Sequence, residues 1–193
     1  MIGSTKQQMD LFGARVVKLA RINLGASKMI DGKKRVTNST GDLSKSLSYR
    51  VKQKRTASGQ FSSGFDVEFL SSEIYAPFIE QGVKGSESVK QSAKNSPFQF
   101  KGRNIPQLAM MKWIEKKPIK LRDMGTGQFS KNTKTAKKTL AFLLGRSIAT
   151  KGIGARHYYK DAVEMAIPKD GTDVALAMAN DYIKQIIKEI KLN

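Results

Sequence analysis

The chain has 193 residues, with 35 Lys and Arg against 16 Asp and Glu, a net charge of +19, one histidine and no cysteine. That length suits one domain, or one domain with an appendage, able to bury roughly 70% of the surface its unfolded form exposes. The missing cysteines exclude disulfides, thiolate chemistry and cysteine-bound zinc, and a lone histidine excludes a His-rich metal site.

No apolar run approaches the ~20 residues that cross a bilayer. The first twenty residues carry Lys6, Asp10, Arg15 and Lys18 in place of the apolar centre of a signal peptide. A soluble protein made inside the cell, with no membrane partner, is therefore expected. The positive charge attracts polyanions and aids solubility but is silent about fold. Lysine supplies most of it and is scattered along the chain, which suits a solvated surface or an acidic neighbour as well as DNA.

In chain order, residues 5 to 24 read as a helix, with Met9, Phe12, Val16, Leu19 and Ala20 recurring at helical spacing, Gly13 weakening its middle and Gly25 ending it. Residues 26 to 38 are polar and basic, with a turn expected at Asp31-Gly32. Ser39 or Thr40 can cap a short helix in which Asp42 suits the dipole and Leu43 and Leu47 share a face. Tyr49 to Lys52 starts a strand, and residues 53 to 64 connect it to a second strand over 65 to 70, with Phe65, Val67 and Phe69 on one face. Two strands alone are marginal, so a third strand or a covering helix is expected.

An amphipathic turn or two follows, with Ile74, Phe78 and Ile79 pointing one way, Pro77 in its first turn and Gly82 as a left-handed stop. Residues 83 to 104 look least ordered and read as an arm, with Phe98 and Phe100 exposed. Ile105-Pro106 opens a helix that packs Leu108, Met111 and Ile114, with Trp113 expected in the core. Residues 118 to 133 form a second irregular basic segment. A helix from about Thr133 to Thr150 shows a broad apolar face of Leu140, Ala141, Leu143, Leu144 and Ile148. After Gly152-Ile153-Gly154 another helix starts at His157 and halts near Pro168 to Gly171. Thr172 or Asp173 then caps a last helix striped by Leu176, Ala179, Ile183, Ile186, Ile187 and Ile190.

The expected class is α+β: a small antiparallel sheet packed by several helices, with long N- and C-terminal helices and extended loops. It is read as a single domain: an N-terminal helix and basic linker over 1–38, a core over 39–168 and an amphipathic C-terminal helix over 169–193.

Catalytic material is sparse. His157 beside two tyrosines reads as a packed histidine, and Asp66 and Glu68 read as solvent-facing strand positions. Lys151 to Arg156 and Gly125 to Gly127 lack the residues and the strand-to-helix context of a nucleotide loop. Neither a catalytic nor a metal site is expected, no cofactor is implied, and no helix-turn-helix or single-strand platform stands out.

Four stretches resemble the tail-completion (neck) proteins of long-tailed bacteriophages. Thr40-Gly41-Asp42-Leu43-Ser44-Lys45-Ser46-Leu47 is similar to the family's Thr-Gly-x-Leu-x-x-Ser-aliphatic helix, and Tyr75-Ala76 with Glu80 and Gly82 to its Tyr-Ala-x-x-x-Glu-x-Gly signature. Ala141 to Ile153 resembles a late helix ending in Lys-Gly-Ile, and His157 to Ala162 takes the place of the aromatic-x-x-x-Ala closing helix, with His-Tyr replacing a more usual Pro-Phe. The order holds over roughly residues 35 to 165.

The resemblance implies a non-enzymatic virion protein, a subunit of a homo-oligomeric ring that joins the head connector to the tail. Such a subunit is assembled in the host bacterial cytoplasm, touches other neck, connector and tail proteins, and makes non-specific contact with genomic DNA in the channel. Tyr75, Phe78, Glu80, Gly82, Phe98 and Phe100 are the candidate subunit interface. Lys33, Lys34, Arg35, Lys52, Lys54 and Arg55 are the candidate contacts to DNA or an acidic partner. The alternatives are a basic DNA-associated phage protein and a minor tail protein elsewhere in the tail.

Overall fold

The computed structural model describes residues 4–35, 41–55, 61–116 and 134–190. The class is α+β. In order the elements are α1 (Thr5–Gly25), β1 (Lys28–Ile30), β2 (Lys33–Arg35), α2 (Asp42–Ser46), β3 (Leu47–Arg55), β4 (Phe61–Ser71), α3 (Ala76–Gln81), a 3-10 turn (Gln91–Ala93), α4 (Gln107–Lys116), α5 (Lys134–Lys151) and α6 (Tyr158–Ile190). β1 and β2 form one two-stranded sheet, β3 and β4 another. The residues gather into two compact units. The first takes Met1–Lys28, Lys34–Ala76 and His157–Asn193, the second Met29–Lys33 and Pro77–Arg156.

In the first unit, β3 and β4 pair antiparallel with Tyr49 opposite Phe69, Val51 opposite Val67 and Gln53 opposite Phe65. Because side chains alternate across a strand, these six share the face covered by α1, and Phe12 meets Phe69 edge-on at 6.5 Å. The other face carries ion pairs: Arg50 and Lys52 each reach Glu68 at 2.7 Å, and Lys54 reaches Asp66 at 3.2 Å. The covering element is thus the helix, and the other hairpin is a separate sheet. Gly13 is buried because a Cβ there would run into the Tyr49 ring, so its weak helix propensity is offset by a close approach.

α1 begins with a capping box in which Ser4 and Gln7 each satisfy the other's backbone N–H. It lies antiparallel to α6. Thr5 donates its N–H and hydroxyl to Asp181 Oδ2 at 2.8 and 2.7 Å, Arg15 Nη1 sits 3.0 Å from Asp170 Oδ1, and Asn23 donates to the Tyr158 carbonyl at 3.2 Å. α1 buries Val16, Val17, Ala20 and Leu24, and α6 buries Tyr158, Ala162, Ala166 and Ala177. The alanines allow the two backbones to come close.

α6 does not halt near Pro168; it runs unbroken through Pro168 and Gly171, so Thr172 and Asp173 cap nothing and no separate helix begins at 169. Proline removes one rung, worth about 3 kcal/mol in a helix interior. The ties to α1 offset it: Asn23 holds Tyr158 before the proline, and Arg15 and Thr5 hold Asp170 and Asp181 after it. Leu176 and Ile183 are exposed by about half, so the described part of the stripe chosen from the sequence faces away from α1. The N-cap of α2 is Gly41, with no side-chain cap bond, while Ser39 and Thr40 lie outside the described residues. β3 and β4 run on to Arg55 and back from Phe61, longer than read, with a register shift between Gln53 and Arg55. Ile74 sits in a turn before α3 and is 89% exposed.

In the second unit, α4 and α5 pack through Met110, Ile114 and Ala141, flanked by Ile105, Met111, Leu140, Leu144 and Ile148. Leu108, Trp113 and Leu143 are exposed instead of packed. The buried stripe of α5 is Ala141, Gly145 and Ala149, one face at four-residue spacing, because small side chains let neighbouring backbone close in. Residues 83 to 104 are no free arm. Val83 and Ile153 exchange backbone bonds at 2.9 and 2.8 Å, and Ser86, Glu87 and Ser88 donate to the last carbonyls of α5, at Ala149 and Thr150. Those orphan acceptors need partners, and this loop supplies them. At the hairpin tip Asp31, in the left-handed region with Gly32, accepts from the Ser92 N–H and hydroxyl at 3.1 and 3.0 Å. Residues 118 to 133 lie outside the described residues.

Candidate functional site

The Tyr-Ala-x-x-x-Glu-x-Gly stretch is built from short-range chemistry. Glu73 O accepts from Ala76 N at 3.0 Å to open α3, and Pro77 occupies its first turn, where no N–H is missed. Gly82 closes it at φ +73° and is buried. Its carbonyl accepts from the buried Ser96 hydroxyl at 2.7 Å, and the same oxygen atom of Ser96 accepts from Phe98 N at 3.1 Å. Ile79 O takes the Arg156 N–H at 2.9 Å.

Of the six candidate interface residues, Tyr75 and Phe78 are 40% and 37% exposed. Burial, and then the carboxylates of Glu73 and Asp42, push the Tyr75 hydroxyl above its ordinary pKa. Phe78 meets Phe98 edge-on at 4.6 Å, a pairing that leaves Phe98 half-buried, as Phe100 is too. Glu80 is half-buried, and Gly82 is enclosed by its own unit. The structure therefore brings Phe78 and Phe98 together, and turns Gly82 into a packing position. Ile74, at 89% exposure, adds to the apolar surface of this stretch. Its spacing from Phe78 and Ile79 fits one helical face, but Ile74 lies in the turn at 74–75, before α3 begins.

Of the basic candidates, Lys52 and Lys54 spend their charge on Glu68 and Asp66 across the strand pair. Lys52 first, then Arg50, holds the Glu68 carboxyl below its ordinary value. Lys34 is exposed. The side chains of Lys33, Arg35 and Arg55 lie outside the described set.

Chemistry has little else to work with. Among the described residues no group of three His, Asp or Glu side chains is placed to hold a metal ion. His157, at φ +51°, starts α6, its carbonyl accepting from Asp161 N at 2.9 Å. An open groove of about 460 Å³ in the first unit is lined by Gln7, Gln8, Asp10, Leu11, Ala14 and Tyr49. Among the described residues no helix is long and apolar enough to cross a membrane. Comparison with protein-family models, with curated proteins and with solved structures finds no match to this chain.

Proposed function

We propose that this chain is a structural subunit of the neck of a tailed bacteriophage, one member of a homo-oligomeric ring that joins head connector to tail. The observation that supports this reading is the apolar exposure of the signature stretch. Ile74 and Tyr75, in the first unit, stand 89% and 40% exposed, and Phe78, at the start of the second, 37%, all within five residues of chain. Aromatic side chains on a fixed backbone are the usual anchors of protein–protein contacts. A ring needs such a patch on every subunit, because heterologous contacts must repeat until they close.

Sedimentation of the tagged protein from DNase-treated lysate of infected or induced cells, at about 0.5 M salt, tests it. The expected result is co-migration with virus-sized particles that show tails or capsids by negative stain, lost in Tyr75→Ala/Phe78→Ser chains that keep their circular dichroism. A small free species, whatever the salt, would overturn the ring reading. It would favour a basic DNA-associated phage protein if binding returned only on adding DNA at low salt.

A further inference from the structure

We infer that the second unit carries a contact surface for the phosphate backbone of duplex DNA, centred on Lys84, Lys101 and Lys151. The charge is unevenly shared between the two units. Among described residues the second unit holds fourteen Lys and Arg against four Asp and Glu, whereas the first holds sixteen against eleven. In the first unit several of the acids are engaged by bases: Asp170 by Arg15, Asp161 by Lys28, Glu68 by Arg50 and Lys52, Asp66 by Lys54. In the second unit, four acids cannot neutralise fourteen bases however they pair. The surplus of ten is held by a unit in which the described chain is the shorter of the two.

Backbone contacts gather part of that surplus in one place. Lys84 O accepts from Phe100 N at 3.0 Å, which sets Lys101 beside it. Gly152 packs against the backbone of Lys84 and Gly85, which sets Lys151 there as well. Lys101 and Lys151 are exposed and Lys84 is half-exposed. The acid nearby in sequence, Glu87, is already held by Arg103 at 2.8 Å. A dipole explanation for these cations is insufficient, because Ser86, Glu87 and Ser88 already satisfy the last carbonyls of α5.

Lysine-rich surface suits phosphate better than protein. Lysine is depleted from the cores of protein interfaces, while duplex DNA presents a charge every ~1.7 Å of its axis. Single strands call for exposed aromatic platforms, and the two aromatics beside these lysines, Phe98 and Phe100, are half-buried. The inference rests on charge and backbone placement, and so stands or falls separately from the ring reading.

The test is fluorescence anisotropy of the full chain with a labelled duplex, between about 50 and 200 mM salt. The Lys84→Gln/Lys101→Gln/Lys151→Gln chain is compared with a control losing the same charge from the first unit, Lys6→Gln/Lys18→Gln/Lys45→Gln. At about 0.9 per phosphate contact, the second-unit variant should bind with a log–log salt slope roughly 2.7 shallower, equivalent to about 40-fold less loss of affinity over that range. The control should keep the wild-type slope. Equal effects of the two triples, no binding of duplex by the wild type, or stronger binding of a single strand would each overturn the proposal. Equal competition by poly-glutamate at matched charge would do the same and assign the surface to an acidic protein. Circular dichroism and thermal melting of both variants confirm that folding is kept, so a loss of binding is not a loss of structure.

Discussion

Gly82→Ala separates two costs that usually travel together. Gly82 and Gly32 share the same backbone angle, φ +73°, and both belong to the second unit. An alanine at either must adopt the left-handed region, at about 1–2 kcal/mol, and at either it restricts the unfolded chain, which returns about 0.4–1 kcal/mol. Their surroundings differ. At Gly32 nothing lies within 4 Å of an added Cβ. At Gly82 the Cβ would sit 2.6 Å from Ile153 O, 2.7 Å from Ala155 N and 2.8 Å from Ala93 Cβ. Two of those atoms are backbone, beside the Val83–Ile153 bridge, and no side-chain rotation can move them away.

Overpacking of this kind costs about 1–3 kcal/mol. Subtracting the Gly32→Ala effect cancels the shared terms, so the expected difference between the two variants is about 1–3 kcal/mol in urea unfolding. For a chain of this length that corresponds to a Tm roughly 2–12 °C lower for Gly82→Ala than for Gly32→Ala. Coincident unfolding curves for the two variants would refute the close packing around Gly82, and with it the account of residues 83 to 104 as part of the fold.

Two further outcomes follow from named hydrogen bonds. Asp181 is held below its ordinary carboxylate pKa of 3.8 by the Thr5 N–H, then by the Thr5 hydroxyl. A depressed folded value means the stabilisation is present above the unfolded value and lost as pH falls through the folded one. Thr5→Val should therefore raise the Asp181 pKa toward 3.8 in a carboxyl NMR titration and soften the loss of stability on acidification, by less than about 1 kcal/mol because the carboxylate is partly exposed. An unchanged titration would count against the Thr5 bond. Tyr159 donates its hydroxyl toward Leu70 O at 3.0 Å and Ser48 O at 3.3 Å, while its ring lies 5.2 Å from Phe69. Tyr159→Phe should cost about 1 kcal/mol, with Tyr159→Ala distinctly worse because the ring contact is lost as well. Equal stability of Tyr159→Phe and wild type would mean that the hydroxyl anchors nothing.

The exposure of the candidate contact residues is less legible in the sequence than the fold. The resemblance makes Tyr75, Phe78 and Gly82 interface candidates, and the structure leaves the first two exposed while enclosing the third. Spacing tells which residues are near one another in the chain, but exposure depends on what packs over them. The basic candidates at Lys52 and Lys54 looked available because Asp66 and Glu68, which neutralise them, lie on the opposite strand. Total charge is a sum over the chain. Its division between two units drawn from separate segments is visible only once those segments are assigned.

Where a feature depends on steric rules within a few residues, it could be read directly from the amino acids. α1, the turn at Asp31-Gly32, the alternation of Phe65, Val67 and Phe69, and the stop at Gly82 are of this kind, since side-chain periodicity and left-handed glycine angles are local properties. Long-range packing settled the remainder. Pro168 and Gly171 are helix breakers by local preference, yet α6 continues because α1 holds it on both sides of the proline, through Asn23 at Tyr158 and through Arg15 and Thr5 at Asp170 and Asp181. The large residues of α5 dominate its apolar pattern, but the buried stripe is Ala141, Gly145 and Ala149, where small side chains let other backbone approach. Residues 83 to 104 have no periodicity to read, and their order comes from bonds to Ala149, Thr150 and Ile153, more than sixty residues further along the chain. Local propensities are worth about a kilocalorie per residue, so a set of distant contacts can overrule them.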